Sequence, residues 1–149
     1  MASIQTTSLA RQDNGAKMMS RTVMIVEDNA MSMKFFNDLL EVSGYRTLLS
    51  RGDDDVETMA RNYQPDLILM NVRLKHRSGL DIARELKARS DTRTIPIVAV
   101  TAYADHGARE RCLESGCDDY LSKPVGVDKL RRTVGHYAKK PKLRLVVSN

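Results

Sequence analysis

At 149 residues and 16.8 kDa the chain has room for one domain of ordinary size with short extensions. An apolar fraction of 42% suits a globular core that needs neither disulfides nor a structural metal, and no apolar run approaches the roughly 18 residues that span a bilayer. The net charge of +5 sits at the ends: residues 22–136 hold 17 bases against 18 acids, so the body is neutral and the composition argues against nucleic-acid binding and against a membrane.

Residues 1–20 are polar and lack both a sustained apolar period and the apolar stretch of a signal peptide, so they are predicted to be a disordered tail, and the protein to be cytoplasmic. Met18 or Met19 is an alternative start of translation. Thr22–Val26 is a continuous apolar run, the pattern of a strand buried on both faces. Ala30–Ser43 follows with Met33, Phe36, Leu39 and Leu40 on one helical face, and Gly44 stands where that helix stops. Tyr45–Ser50 alternates as an edge strand does. Asp53–Tyr63 reads as a helix opened by Asp53, Asp54 and Asp55, charges that favour a helix N-terminus.

Asp66–Met70 is the third strand, Gly79–Arg89 the third helix and Ile95–Val100 the fourth strand. Asp105–Ser115 forms a fourth helix ended by Gly116. Asp119–Ser122 is a short fifth strand, and Val127–Ala138 a fifth helix stopped near Pro141. Residues 140–149 are a basic tail, in which Leu143, Leu145, Val146 and Val147 could dock on an edge strand or a partner. Residues 21–139 are therefore the domain. Strand and helix alternate five times, which predicts an α/β fold with a five-stranded parallel sheet, doubly wound by five helices. Cys112 and Cys117 have neither CxxC spacing nor paired histidines, and read as reduced thiols rather than zinc ligands.

In such sheets the ligand site lies beyond the carboxyl ends of the strands. Here the first strand delivers Glu27 and Asp28, the third Asn71, the fourth Thr101, and the fifth Lys123 before Pro124. Each has an ordinary structural role open to it: helix cap, turn residue, β-branched strand residue or solvated strand end. Their convergence on one edge points instead to a site. Tyr120 fits simple strand filling.

Val-Glu-Asp-Asn (26–29), Pro-Asp-Leu-Ile-Leu-Met (65–70), Ser-Gly-Leu (78–80), Ile-Pro-Ile-Val-Ala-Val-Thr-Ala (95–102) and Gly-Cys-Asp-Asp-Tyr-Leu-Ser-Lys-Pro (116–124) resemble the receiver domain of bacterial two-component response regulators. The resemblance runs from Thr22 to about Ala138, and among receivers it is strongest to single-domain cell-cycle regulators. It implies a flavodoxin-like sheet in the order 2-1-3-4-5. It implies a Mg²⁺ ion held by Glu27, Asp28, the side chain at 71 and the backbone carbonyl of Arg73. It further implies a phosphoacceptor at position 71, Lys123 and the Thr101 hydroxyl on the phosphoryl group, and Tyr120 moving with Thr101 as a switch. The partners would be a histidine kinase, a phosphotransferase or another signalling protein of the phosphorelay, read through the fourth helix, fifth strand and fifth helix. The Lys123–Pro124 bond would be cis.

The family's acceptor is Asp, and here it is Asn71. An amide oxygen carries no charge and the amide nitrogen's lone pair is delocalised, so the chain is not expected to form an acyl phosphate. With one carboxylate fewer, Mg²⁺ binding is expected to be weakened. After Leu74, where the family usually has Pro, stands Lys75, within Arg73-Leu74-Lys75-His76-Arg77. The sequence predicts a solvated loop histidine at 76, and a basic loop that could displace the exit of the third strand. Lys123 and Thr101 should still point at position 71. The leading reading is thus a pseudo-receiver that signals by protein–protein interaction and is not itself an enzyme. The alternative is a conventional phospho-accepting regulator carrying a phospho-null Asp-to-Asn change. A DNA-binding regulator would need a second domain, for which about a dozen residues after Tyr137 leave no room.

Overall fold

The computed structural model describes residues 12–13, 16–19, 21–53, 55–103, 105–139 and 142–145. Among these residues two sheets are present. The larger contains β3 (Thr22–Val26), β4 (Arg46–Ser50), β5 (Leu67–Asn71), β6 (Ile97–Thr101) and β7 (Asp119–Ser122), all parallel, in the order β4-β3-β5-β6-β7. The second of the five strands therefore lies at the edge beside the first, as the 2-1-3-4-5 order requires.

Among the described residues five helices complete the fold: α1 (Ala30–Val42), α2 (Val56–Tyr63), α3 (Gly79–Ala88), α4 (Ala108–Glu114) and α5 (Val127–Tyr137). Successive strand residues point to opposite faces, and here both faces are covered. Val23, Ile25, Leu67, Leu69, Val98 and Val100 pack with Phe36 and Leu40 of α1 and Leu130 and Val134 of α5. On the other face Met24, Ile68, Met70, Ile97 and Ala99 meet Met59 of α2, Ile82 and Leu86 of α3 and Cys112 of α4. The continuous apolar runs of the central strands follow from this double burial.

Ends of elements shift by up to three residues from the sequence expectation, for local reasons. Helix α1 is capped by the Asn29 side chain, which accepts from Ser32 N, and Gly44 leaves it at φ 97°. Strand β6 starts at Ile97 because Pro96 has no N–H for the ladder; its carbonyl accepts from Ile68 instead. Asp118 Oδ2 takes the Ile97 N–H at 2.8 Å. Helix α2 begins at Val56 rather than Asp53, with Asp55 as its N-cap and the Asp53 carbonyl accepting from Val56 N; Asp54 lies outside the described residues.

The smaller sheet is antiparallel and differs from the expectation of a disordered 1–20, while Leu143 and Leu145 of the basic tail, for which docking on an edge strand is one expectation, lie in one of its paired strands. It joins β1 (Gln12–Asp13), β2 (Ala16–Met19) and β8 (Lys142–Leu145), with Ala16 opposite Leu145 and Met19 opposite Lys142. Backbone groups make these pairs, and hydropathy does not report them. Val146 and Val147 lie outside the described residues. Among the described residues no helix is long and apolar enough to cross a membrane.

Candidate functional site

Four strands bring the predicted residues to one edge. Each ladder runs one residue past its strand: Glu27 N donates to Ser50 O at 2.9 Å, Val72 N to Val100 O at 2.9 Å and Lys123 N to Thr101 O at 2.8 Å. These bonds fix the backbone on which Glu27, Asn71 and Lys123 stand. The Lys123–Pro124 bond is cis.

Glu27 is the centre of the site and only 1% exposed. Its Oε1 accepts from Lys123 Nζ at 2.6 Å, and its Oε2 accepts from Asn71 Nδ2 at 2.9 Å and from Asn29 N at 3.0 Å. A carboxylate taken from water needs partners of this kind on both oxygens. Lys123 and Asn71 thus meet on the two oxygens of one carboxylate.

Asn71 ends β5 and is itself buried. Its Nδ2 also donates to the Arg73 carbonyl at 3.0 Å. A carboxylate and a carbonyl are acceptors only, so it is the nitrogen end of the amide that faces them. Asp28 is turned toward the loop after β5, where its Oδ2 accepts from the backbone N of Lys75 at 2.7 Å.

That loop is closed at its base. Arg73 pairs with Ser78 as an antiparallel bridge, and Gly79 N donates to Val72 O at 2.8 Å. Ser78 Oγ caps α3 by accepting from Leu80 N. Arg77 leaves the loop to bind Glu57 of α2 through both terminal guanidinium nitrogens, at 3.3 and 2.8 Å, and Glu85 of α3 at 2.6 Å. Arg73 lays its guanidinium over the Tyr103 ring, 3.7 Å from the centroid. His76 is exposed.

Thr101 is buried, and its Oγ1 accepts from Tyr103 N at 3.1 Å, a bond within its own loop rather than toward Asn71. It borders a cavity of about 430 Å³ shared with Arg73, Tyr103, Arg111 and Cys112. Tyr120 pairs with Ala99 in register and is half-buried against the α2–α3–α4 core layer. The structure thus joins Glu27, Asn71, Arg73 and Lys123 directly and Asp28 through Lys75. Thr101 and Tyr120 stand beside that group without bonding to it. The Asn29 and Lys75 backbone donors and the Arg77 clamp had no signal in hydropathy. The one visible clue was Lys75 itself, which has an N–H where a proline has none.

These residues fit a resident Mg²⁺ poorly. Such an ion draws carboxylate and carbonyl oxygens around it. Here protein N–H groups already lie on Glu27 Oε2, Asp28 Oδ2 and the Arg73 oxygen. Among the described residues no cluster of three or more His, Cys, Asp or Glu side chains is placed to hold an ion. Position 71 supplies no anionic nucleophile.

Comparison with known proteins agrees with this architecture. The response regulator receiver domain family matches residues 23–135. The polar-differentiation response regulators DivK of Brucella ovis and Brucella abortus are 44% identical over 119 residues, covering 80% of this chain and 97% of theirs. Among solved structures, the receiver domain of the sensor histidine kinase PA1611 from Pseudomonas aeruginosa, with a magnesium ion in its active site cleft, superposes with a TM-score of 0.74 at 33% identity. That match covers 80% of this chain and 98% of the other. A protein of known structure from Chloroflexus aurantiacus, at 24% identity and a TM-score of 0.77, shares the fold over 82% of this chain and all of its own.

Proposed function

The chain belongs to the response regulator receiver domain family, and we propose that it signals there by protein–protein contact without taking a phosphoryl group at position 71. It is a DivK-like response regulator by its relatives, and a signalling protein rather than an enzyme. The observation that carries the reading is the Asn71 amide, whose nitrogen is spent on Glu27 and on the Arg73 carbonyl. A receiver needs an anionic oxygen at this place to attack phosphorus. Position 71 offers a neutral amide held by two hydrogen bonds.

On this reading the partner is a histidine kinase, a phosphotransferase or another cytoplasmic signalling protein, met through α4, β7 and α5. Mg²⁺ affinity is weak, because Glu27 and Asp28 are the two carboxylates left and Lys123 already neutralises one of them. Thr101 and Lys123 keep the places of phosphate-binding groups, and Tyr120 that of the switch.

Incubation with acetyl phosphate and Mg²⁺, followed by intact-mass measurement, tests the proposal. The native chain is expected to show no adduct, and Asn71→Asp to gain one that Lys123→Ala removes or slows. Pulldown of the same partners by the native chain and by Asn71→Asp would support phosphorylation-independent contact. A phosphate adduct on the native chain would overturn the reading.

A further inference from the structure

We propose that the two unusual residues of this site form a single device: three N–H contacts, two from the Asn71 amide and one from the Lys75 backbone, stand in for a divalent cation and keep the site assembled without metal. The inference rests on the receiver reading above and goes further, because it concerns what holds the site together rather than whether it takes phosphate.

The loop oxygens of such a site repel one another unless something positive lies among them. In this chain each of the three acceptor groups is met by a hydrogen. Glu27 Oε2 and the Arg73 carbonyl oxygen receive the two hydrogens of Asn71 Nδ2, at 2.9 and 3.0 Å. Asp28 Oδ2 receives the Lys75 N–H at 2.7 Å. Lys123 Nζ supplies the full positive charge at 2.6 Å from Glu27 Oε1.

Both departures are needed for this arrangement. Aspartate at 71 would remove two donors and add a third carboxylate. Proline at 75 would remove the third donor, since its nitrogen carries no hydrogen. The loop between them is held where the donors require it, by the Arg73–Ser78 bridge at its base and by Arg77 on Glu57 and Glu85. A cation drawing on Glu27 Oε2, the Arg73 carbonyl or Asp28 Oδ2 would compete with these N–H contacts. Position 75 is therefore a compensating partner of position 71 rather than a distortion of the strand's exit.

The test is a melting and calorimetric comparison of the full chain in EDTA and in millimolar Mg²⁺. The native protein is expected to melt at the same temperature in both and to show no heat of Mg²⁺ binding. Asn71→Asp is expected to melt lower in EDTA than the native chain and to regain the loss with Mg²⁺. The double variant Asn71→Asp, Lys75→Pro should bind Mg²⁺ about tenfold more tightly than Asn71→Asp alone, since Asp28 Oδ2 is then free. If the proline variant does not fold, the Mg²⁺ response of the native chain against Asn71→Asp decides the matter. A native chain stabilised by Mg²⁺ as much as Asn71→Asp, or an Asn71→Asp that melts in EDTA at the native temperature, would overturn the proposal. Those results would leave the functional reading intact, whereas a phosphate adduct on the native chain overturns that reading whatever the metal does.

Discussion

At the scale of single residues, Glu27 shows how a buried charge becomes tolerable. Three donors reach its two oxygens, and one of them, Lys123, is a cation. Removing one member of such a group leaves the others buried without a partner, which is why sites of this kind are hard to alter singly. Gly79 is a second residue that the site depends on, and its reason is space. A Cβ there would lie 2.1 Å from the Asn71 carbonyl oxygen and 3.0 Å from its carbon, both backbone atoms that cannot swing aside. Gly79→Ala is therefore expected to cost about 3 kcal/mol or more and to lower the melting temperature by upward of about 5 °C, measured by calorimetry. A change within error would mean the turn after the loop shifts freely. The residue types of the site were readable from strand ends alone. Who bonds to whom was not, because the pairing of Lys123 with Glu27 is decided by side-chain direction and burial, which periodicity does not encode.

At the scale of elements, the loop after β5 is tied to two helices by one guanidinium. Arg77 holds Glu57 of α2 and Glu85 of α3, and the two carboxyls influence each other. Burial pushes the Glu57 carboxyl up, but hydrogen bonds from Arg77 and Glu85 outweigh it and leave it below the ordinary 4.5. Glu85 moves the other way, raised first by its hydrogen bond with Glu57 and then by burial. A group whose folded pKa is depressed stabilises the fold above its unfolded pKa, and the contribution is lost as pH falls through the folded value. For Glu57 that loss occurs on the acid side of 4.5. Glu85, raised, contributes below its unfolded pKa and loses that contribution as pH rises through the folded one. Glu57→Gln should therefore cost about 1 kcal/mol at neutral pH and flatten the acid limb of the stability curve, in denaturant titrations at several pH values. An acid limb as steep as the native one would remove Glu57 from the account. The strands and helices themselves were legible in chain order. Their first residues were not, where Pro96 ended a ladder or a cap replaced a helical turn. The Arg77 clamp was invisible for a different reason: it joins positions 20 and 8 residues apart by charge in a neutral body.

At the scale of the whole molecule, the basic ends and the neutral body form separate sheets. The small sheet pairs Ala16–Met19 with Lys142–Leu145, and no strand is shared with the five-stranded sheet. The boundaries of the larger unit are set by its own contacts. On the N-terminal side the Arg21 carbonyl accepts from Arg46 N, and the Arg21 side chain lies 3.6 Å from Asp66. On the C-terminal side Ala138 is buried in the α1–α5 core layer, and the Tyr137 hydroxyl shares its one hydrogen between Asp118 O and Asp119 Oδ2, at 3.2 and 3.1 Å. Residues 21–139 thus carry every contact described for the core and the site, with 19 bases against 18 acids. A protein trimmed to 21–139 is expected to melt within about 5 °C of the full chain, since the apolar burial that dominates stability is untouched. The trimmed protein should also lose salt-sensitive retention on a polyanion column, because its net charge falls close to neutral while its fold does not change. Retention without a loss of stability on trimming would place the binding charge in the body. A collapse of the melting temperature would instead make the small sheet a structural clasp, joining the two ends of the chain in support of the larger one.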